Sequence, residues 1–319
     1  MPEMIKFTYE LKCFKDALEI KEFYPEKNLY ESKAKKDYGN KAYKDGKDLD
    51  ALYHYSQAII ATPVGDNGKS RELAILLANR SAVLFSLKAY GMALDDIKLA
   101  FQMGYPDDLA YKLYDRKAKC LVAFKQMADA GEAYRLALKY VDKANKLSDD
   151  RKKQVMREIM QALSFYKSAP AHLTKNQDVD MVGKPDVPNI SNKNSLYPVM
   201  SDAVTFKYEE NRGRFAVASK DITVGEVVTV EKAIVSHMLP EYMGKNCTHC
   251  FKTMKAPMPC NFCTKVMFCS LKCREVACNT YHKYECKLVD LFISSGMSII
   301  CYLAYRLVIH NWKCLLYRF

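Results

Sequence analysis

The chain is 319 residues long, 49 % hydrophobic and 27 % charged, which excludes a single small domain, a collagen-like repeat and wholesale disorder. Its 49 Lys and Arg against 37 Asp and Glu give a formal charge of +12, spread with no block of five or six like charges, so solvated faces account for it better than a polyanion site. Twelve cysteines in a chain of this length exclude a disulfide-stapled miniprotein and need another use. The opening stretch MPEMIKFTYELKCFK has no apolar h-region and no small-residue cleavage site, so reduced thiols and residence in cytoplasm or nucleus are expected.

In chain order, three segments then share one pattern. Residues 32–65 carry Gly39, Ala42, Tyr43, Gly46, Ala51, Tyr55, Ala58 and Pro63 at recurring places. Residues 74–107 carry Leu77, Ser81, Tyr90, Ala93, Ile97, Ala100 and Pro106, and residues 111–144 carry Tyr114, Ala118, Met127, Ala130, Tyr134 and Ala137. Small residues at fixed positions let two helices cross closely, and stacked helix pairs bury a face that no pair buries alone. The segments resemble tetratricopeptide repeats. A terminal helix with one polar side should follow, and 148–167 supplies it. Ser148 before Asp149 and Asp150 reads as a helix start, and Val155, Ile159, Leu163 and Tyr166 recur at helical spacing.

From 168 to 200 the composition shifts to Pro, Asn, Ser, Asp and Lys, with Pro170, Pro185, Pro188 and Pro198, which predicts a linker. Beyond it the period becomes alternating. The runs 214–221 and 226–235, joined through Ile222 to Gly225, predict two or three strands with a turn at Gly225.

The strongest chemical signal follows: Cys247-x2-Cys250, Cys260-x2-Cys263, Cys269-x3-Cys273 and His282-x3-Cys286. Eight such ligands suit two tetrahedral structural zinc ions with no open catalytic position. Spacing leaves open which pairs share a metal. Cys278 and His249 stand near enough to compete as ligands, though each also reads as an ordinary thiol or exposed histidine. Cys13, Cys120, Cys301 and Cys314 have no ligand spacing and read as small buried hydrophobes. The uncharged run 291–305 falls short of the roughly 20 residues that span a bilayer and predicts a buried helix.

The cysteine pattern resembles a MYND-type zinc finger, whose two sites interleave. That resemblance implies one zinc on Cys247, Cys250, Cys269 and Cys273 and the other on Cys260, Cys263, His282 and Cys286, with Cys278 standing where the family commonly has tryptophan. Repeats, linker, a strand segment with Arg212-Gly213-Arg214-Phe215 and Gly225-Glu226, and then the finger make an order of parts that resembles the SET and MYND domain-containing (SMYD) protein-lysine methyltransferases, in their tetratricopeptide-bearing branch. The implied plan is mainly α with a small α+β part. Its parts are a repeat array with capping helix over 32–167, a linker over 168–200, the first SET strands over 201–246, the finger over 247–286 and a helical SET segment over 287–319.

The resemblance also implies S-adenosylmethionine approached by Arg212, Gly213 and Arg214, a protein-lysine substrate, and protein partners that include histone deacetylase-type chromatin proteins and proline-rich peptides. The family's Asn-His-x-Cys segment, its Gly-Glu-Glu stretch and its catalytic tyrosine lie downstream of the finger. Neither an Asn-His dipeptide nor Gly-Glu-Glu occurs in the 33 residues after Cys286. The expectation is a truncated chain with no catalytic residue of its own, acting as an adaptor through finger and repeats.

A second functional reading rests on the repeats. Lys36, Asn40, Asn79, Lys112 and Arg116 fall at inward positions of the first helix of each repeat, as i, i+4 neighbours where they are paired. This resembles the dicarboxylate clamp of chaperone-binding tetratricopeptide domains, which grip the Glu-Glu-Val-Asp tail of cytosolic heat-shock chaperones through charge-assisted bonds. Neither a membrane nor nucleic acid is expected as a partner.

Overall fold

The computed structural model describes residues 27–65, 67–167 and 188–315. They divide into one unit of 27–167 with 237–315 and a second unit of 188–236.

The first unit begins with a helical array of the tetratricopeptide type, α1 (Leu29–Lys44), α2 (Asp48–Ala61), α3 (Arg71–Ser86), α4 (Tyr90–Gln102), α5 (Ala110–Ala123) and α6 (Met127–Val141). Local chemistry sets the helix starts. Asn28 Oδ1 accepts the backbone N–H groups of Tyr30 and Glu31 at the head of α1, and Ser70 Oγ accepts that of Leu73 at the head of α3. The recurring small residues are where the helices cross: Ala51, Ala58, Ala93, Ala100, Ala118, Ala130 and Ala137 are fully buried. At Gly39 a Cβ would stand 2.8 Å from the Tyr55 ring, so α1 and α2 cross at this distance only because no side chain is there.

Helix α7 (Asp149–Lys167) caps the array. Ser148 Oγ accepts the Arg151 N–H at its start, and Ile159 and Leu163 are buried beside Ala133, Tyr134 and Ala137 of α6. The side chain of Tyr166 lies outside the described residues, as do residues 168–187 of the predicted linker.

The finger continues the same unit. It holds β3 (Met258–Pro259) antiparallel to β4 (Met267–Phe268), α8 (Leu271–Asn279) and α9 (His282–Glu285), followed by α10 (Val289–Ser294) and α11 (Ile299–Leu315). One apolar cluster runs from Leu77, Leu84 and Ile97 of the array into Met258, Phe268 and Leu271 of the finger, so the two share a core.

The uncharged run 291–305 is not one buried helix. Gly296, at φ +66°, ends α10 and separates it from α11. Helix α11 buries Tyr302 and Arg306 against the finger, where Arg306 Nε and Nη2 donate to Glu285 at 2.6 and 2.8 Å. Its other face leaves Ile300, Leu307 and Val308 exposed. Cys301 is exposed as well, against the expectation of a buried thiol, while Cys120 is buried as expected; Cys13 and the side chain of Cys314 lie outside the described residues. Among the described residues no helix is long and apolar enough to cross a membrane.

In the second unit β1 (Val204–Glu209) and β2 (Gly213–Ala218) form an antiparallel hairpin, with Val204 opposite Ala218 and Glu209 opposite Gly213. Gly225 takes φ +86° in a turn, as predicted. The run 226–235, predicted as a strand, is not one. It makes a single bridge, Thr229 with Met200, flanked by Ser201 N–H to Val228 O and Val230 N–H to Val199 O. Alternation alone does not build a ladder, and beyond that bridge the run meets no neighbouring strand among the described residues.

Candidate metal centre and peptide groove

Four short pieces of chain build the metal centre. Phe251, at φ +63°, turns the segment after Cys250 so that Cys247 N–H donates to Lys252 O, which puts Cys247 and Cys250 on one side of a tight turn. Ser270 caps α8 by accepting the N–H of Cys273, so Cys269 and Cys273 straddle a helix start. Cys260 and Cys263 lie within the β3–β4 connection, and the short α9 begins at His282 and is followed directly by Cys286.

These pieces bring the eight ligands into two groups, Cys247, Cys250, Cys269 and Cys273, and Cys260, Cys263, His282 and Cys286, each with its ligand atoms within 4.8 Å of one another. In the first group Cys250 Sγ lies 3.4 Å from Cys269 Sγ, and Cys269 Sγ lies 3.7 Å from Cys273 Sγ. In the second, His282 Nε2 lies 3.3 Å from Cys260 Sγ and 3.6 Å from Cys263 Sγ, and Cys260 Sγ lies 3.6 Å from Cys286 Sγ. A tetrahedron of ~2.3 Å zinc–sulfur bonds has edges of about 3.8 Å, so both donor sets fit structural zinc.

The groupings are those the finger resemblance implied. Hydrogen bonds from neighbouring thiols hold Cys247 and Cys260 far below the usual thiol range. Burial pulls His282 down, but Cys260 and Cys263 outweigh it and lift the imidazole to about 9. Hydrogen bonding to the Cys247 and Cys260 sulfurs pushes Cys263, Cys269, Cys273 and Cys286 up in turn, so the remaining ligands would give up protons as a divalent cation binds. Cys278 sits beside Cys260 and His249 Nδ1 lies 3.3 Å from Tyr281 Oη, and neither joins a ligand group.

The five positions lie on α1, α3 and α5, and most of them already have partners. Asn40 Oδ1 accepts from Tyr55 Oη at 2.7 Å and from Asn79 Nδ2 at 3.4 Å, which ties α1 to α3. Arg116 Nη1 donates to Ala78 O and Ser81 Oγ, both at 2.9 Å, which ties α5 to α3. Burial lowers the Arg116 pKa from its ordinary value. Lys36 Nζ lies 3.6 Å from Glu72, and Lys112 is exposed beside the Tyr111 ring. Lys112 and Arg116 line a cavity of about 410 Å³ together with Tyr43, Phe85 and Tyr111, and Arg151 from α7 adds a further cation.

The sequence reading missed two residues. Arg80 of α3 is fully buried and bidentate to Asp96 of α4, Nε to Oδ2 at 2.8 Å and Nη2 to Oδ1 at 2.7 Å. Its Nη1 also donates to Ser56 Oγ and to the Pro257 carbonyl of the finger. The available signal was a lone charge in the otherwise uncharged stretch Leu73–Phe85 of α3. In the second unit Arg212 closes the hairpin turn and Gly213 and Arg214 begin β2, both arginines exposed, with Gly213 at φ +68° and Arg212 over the Phe215 ring.

No protein-family model matches the chain. Among curated proteins it is 28 % identical over 294 residues to protein-lysine N-methyltransferase SMYD4 of Gallus gallus, covering 84 % of this chain and 38 % of that one. It is 28 % identical over 296 residues to SMYD4 of Homo sapiens, covering 85 % and 35 %. The chain spans little more than a third of the length of these relatives. Among solved structures, the first tetratricopeptide domain of Spaghetti (RPAP3) bound to an HSP90 peptide is 24 % identical, covers 43 % of this chain and 96 % of that one, and superposes with a TM-score of 0.33.

Proposed function

We infer, from the premise that the chain is SMYD4-like within the SET and MYND domain-containing family, that residues 1–319 form the partner-binding and zinc-organised part of a protein-lysine methyltransferase. The array grips the C-terminal acidic tail of a protein partner, of the heat-shock chaperone class, and the finger is a structural zinc module. Methyl transfer from S-adenosylmethionine is proposed for the protein as a whole on family resemblance, with the Arg212–Arg214 turn as its point of approach here. No residue of this chain is assigned a catalytic role.

The observations that support the binding reading are the Asn40–Asn79 contact, the tie from Arg116 to α3, and the cavity that Lys112 and Arg116 line with Tyr43, Phe85 and Tyr111. Cations and amide donors held by neighbouring helices are pre-organised, so a carboxylate meets donors whose ordering cost is already met. The cavity offers apolar walls to a side chain upstream of the terminal carboxylate. Calorimetry with a peptide ending in Glu-Glu-Val-Asp tests this. One peptide per chain should bind, and Lys112→Ala with Arg116→Ala should weaken it at least tenfold while far-ultraviolet circular dichroism stays helical. Unchanged affinity in that variant, or equal affinity for a C-terminally amidated peptide, overturns the reading.

A further inference from the structure

Helix α3 serves two sites within one turn. Asn79, the Ala78 carbonyl and the Ser81 hydroxyl face the groove, where they hold Asn40 and Arg116. Arg80, between them in sequence, points the other way, into the core shared with the finger, and donates to the Pro257 carbonyl at 2.8 Å. Its other donors go to Asp96, Ser56 and the Met258 sulfur. A second contact runs from Asp95 of α4, whose carboxylate lies beside the Leu271 backbone. The finger ends of these ties are set by metal-ligating positions: Pro257 lies three residues before Cys260, and Leu271 lies between Cys269 and Cys273.

We propose that metal occupancy of the finger sets the conformation of the groove face of α3, with Arg80 as the positioning residue that transmits it. The physical reason is the asymmetry of buried hydrogen bonds. A guanidinium with no exposure cannot replace a lost carbonyl partner with water unless the helix moves or the core opens. A finger with little apolar interior of its own keeps Pro257, Met258, Phe268 and Leu271 in place only while its ligands are gathered. Without metal, Arg80 loses an acceptor and Leu77 and Leu84 lose cover, both on the helix that carries Asn79 and the anchor points of Arg116. The coupling is reciprocal, so a ligand in the groove also slows loss of metal from the finger.

The effect on peptide affinity rests on the clamp reading; the effect on α3 does not, and the test separates the two. Amide hydrogen exchange of the full chain is followed with zinc present, after a chelator under reducing conditions, and after zinc is added back. Exchange at residues 76–82 should quicken at least tenfold on chelation and recover with zinc, while 133–141 in α6 change little. Affinity for a peptide ending in Glu-Glu-Val-Asp should fall at least tenfold in the chelated chain. Arg80→Lys, which keeps the charge but cannot span Asp96 and Pro257 together, should retain its zinc and still weaken the peptide.

Unchanged exchange at 76–82 overturns the proposal. Quickened exchange with unchanged peptide affinity overturns the link to the groove. If the zinc-loaded chain binds no such peptide, the clamp reading fails, and exchange alone decides the coupling.

Discussion

The array and the finger lie in one unit and share a core, yet their interiors are made of different things. Between α1 and α7 the buried residues are Tyr55, Leu73, Leu76, Leu77, Leu84, Ile97 and Leu113, set at repeated places by alanines at the crossings. Between 247 and 286 the two strands are two residues each, and the interior is Cys247, Cys260, Cys263 and His282 beside Met258 and Phe268. Apolar area removed from water, at about 25 cal/mol per Å², holds the first region without a bound ion. The second region depends on what its thiols bind. A shared core makes the first region partly hostage to the second, with Arg80 as the polar point of contact.

Metal removal should break the comparison most completely. Structural zinc contributes an apparent ~10–16 kcal/mol to the folding of small finger peptides at neutral pH, far more than any single side chain. Cys260→Ser with Cys269→Ser should therefore expose 245–290 to limited proteolysis while the helical signal of the array largely survives. Loss of both together would mean that the array has no independent core.

Arg80→Ala comes next. It leaves the Asp96 carboxylate buried and unpaired, a change that costs about 3–5 kcal/mol in denaturant unfolding. Arg80→Met with Asp96→Leu should recover most of that loss, because no charge is then left buried. Gly39→Ala should cost about 1–3 kcal/mol, since its Cβ meets the Tyr55 ring.

The smallest effect is on pH dependence at the seam. Burial, with Asp96 alongside, raises the Asp95 carboxyl to about 6. The folded chain thus holds that proton more tightly than the unfolded chain, whose value is about 3.9. Its contribution to stability is greatest below about pH 4 and declines as pH rises to about 6. Asp95→Asn removes the titrating group at nearly the same size, so it should raise the melting temperature at pH 7.5 and not at pH 4. A gain at both pH values would remove the protonation account.

The parts of this fold legible in the sequence were those governed by period or spacing. Alanine and tyrosine at fixed places gave the helix crossings, Ser148 gave the start of α7, and the Cys and His spacings anticipated both ligand groups once the finger resemblance was added. Long-range pairing was not legible. Arg80 and Asp96 lie in different helices, and a lone arginine in a helix usually reads as surface. Register alone picked out Lys36 and Asn40, and it carried no sign of their existing partners, Tyr55 for Asn40 and Glu72 for Lys36. Ser294-Ser295-Gly296 was a breaker inside the apolar run, and the length of that run obscured it.

The account stands most directly on the metal content of the folded chain. Native mass spectrometry of the 319-residue chain should show two zinc ions bound, and none in the Cys260→Ser, Cys269→Ser variant. A chain that carries no metal and yet protects residues 247–286 from proteolysis would contradict it.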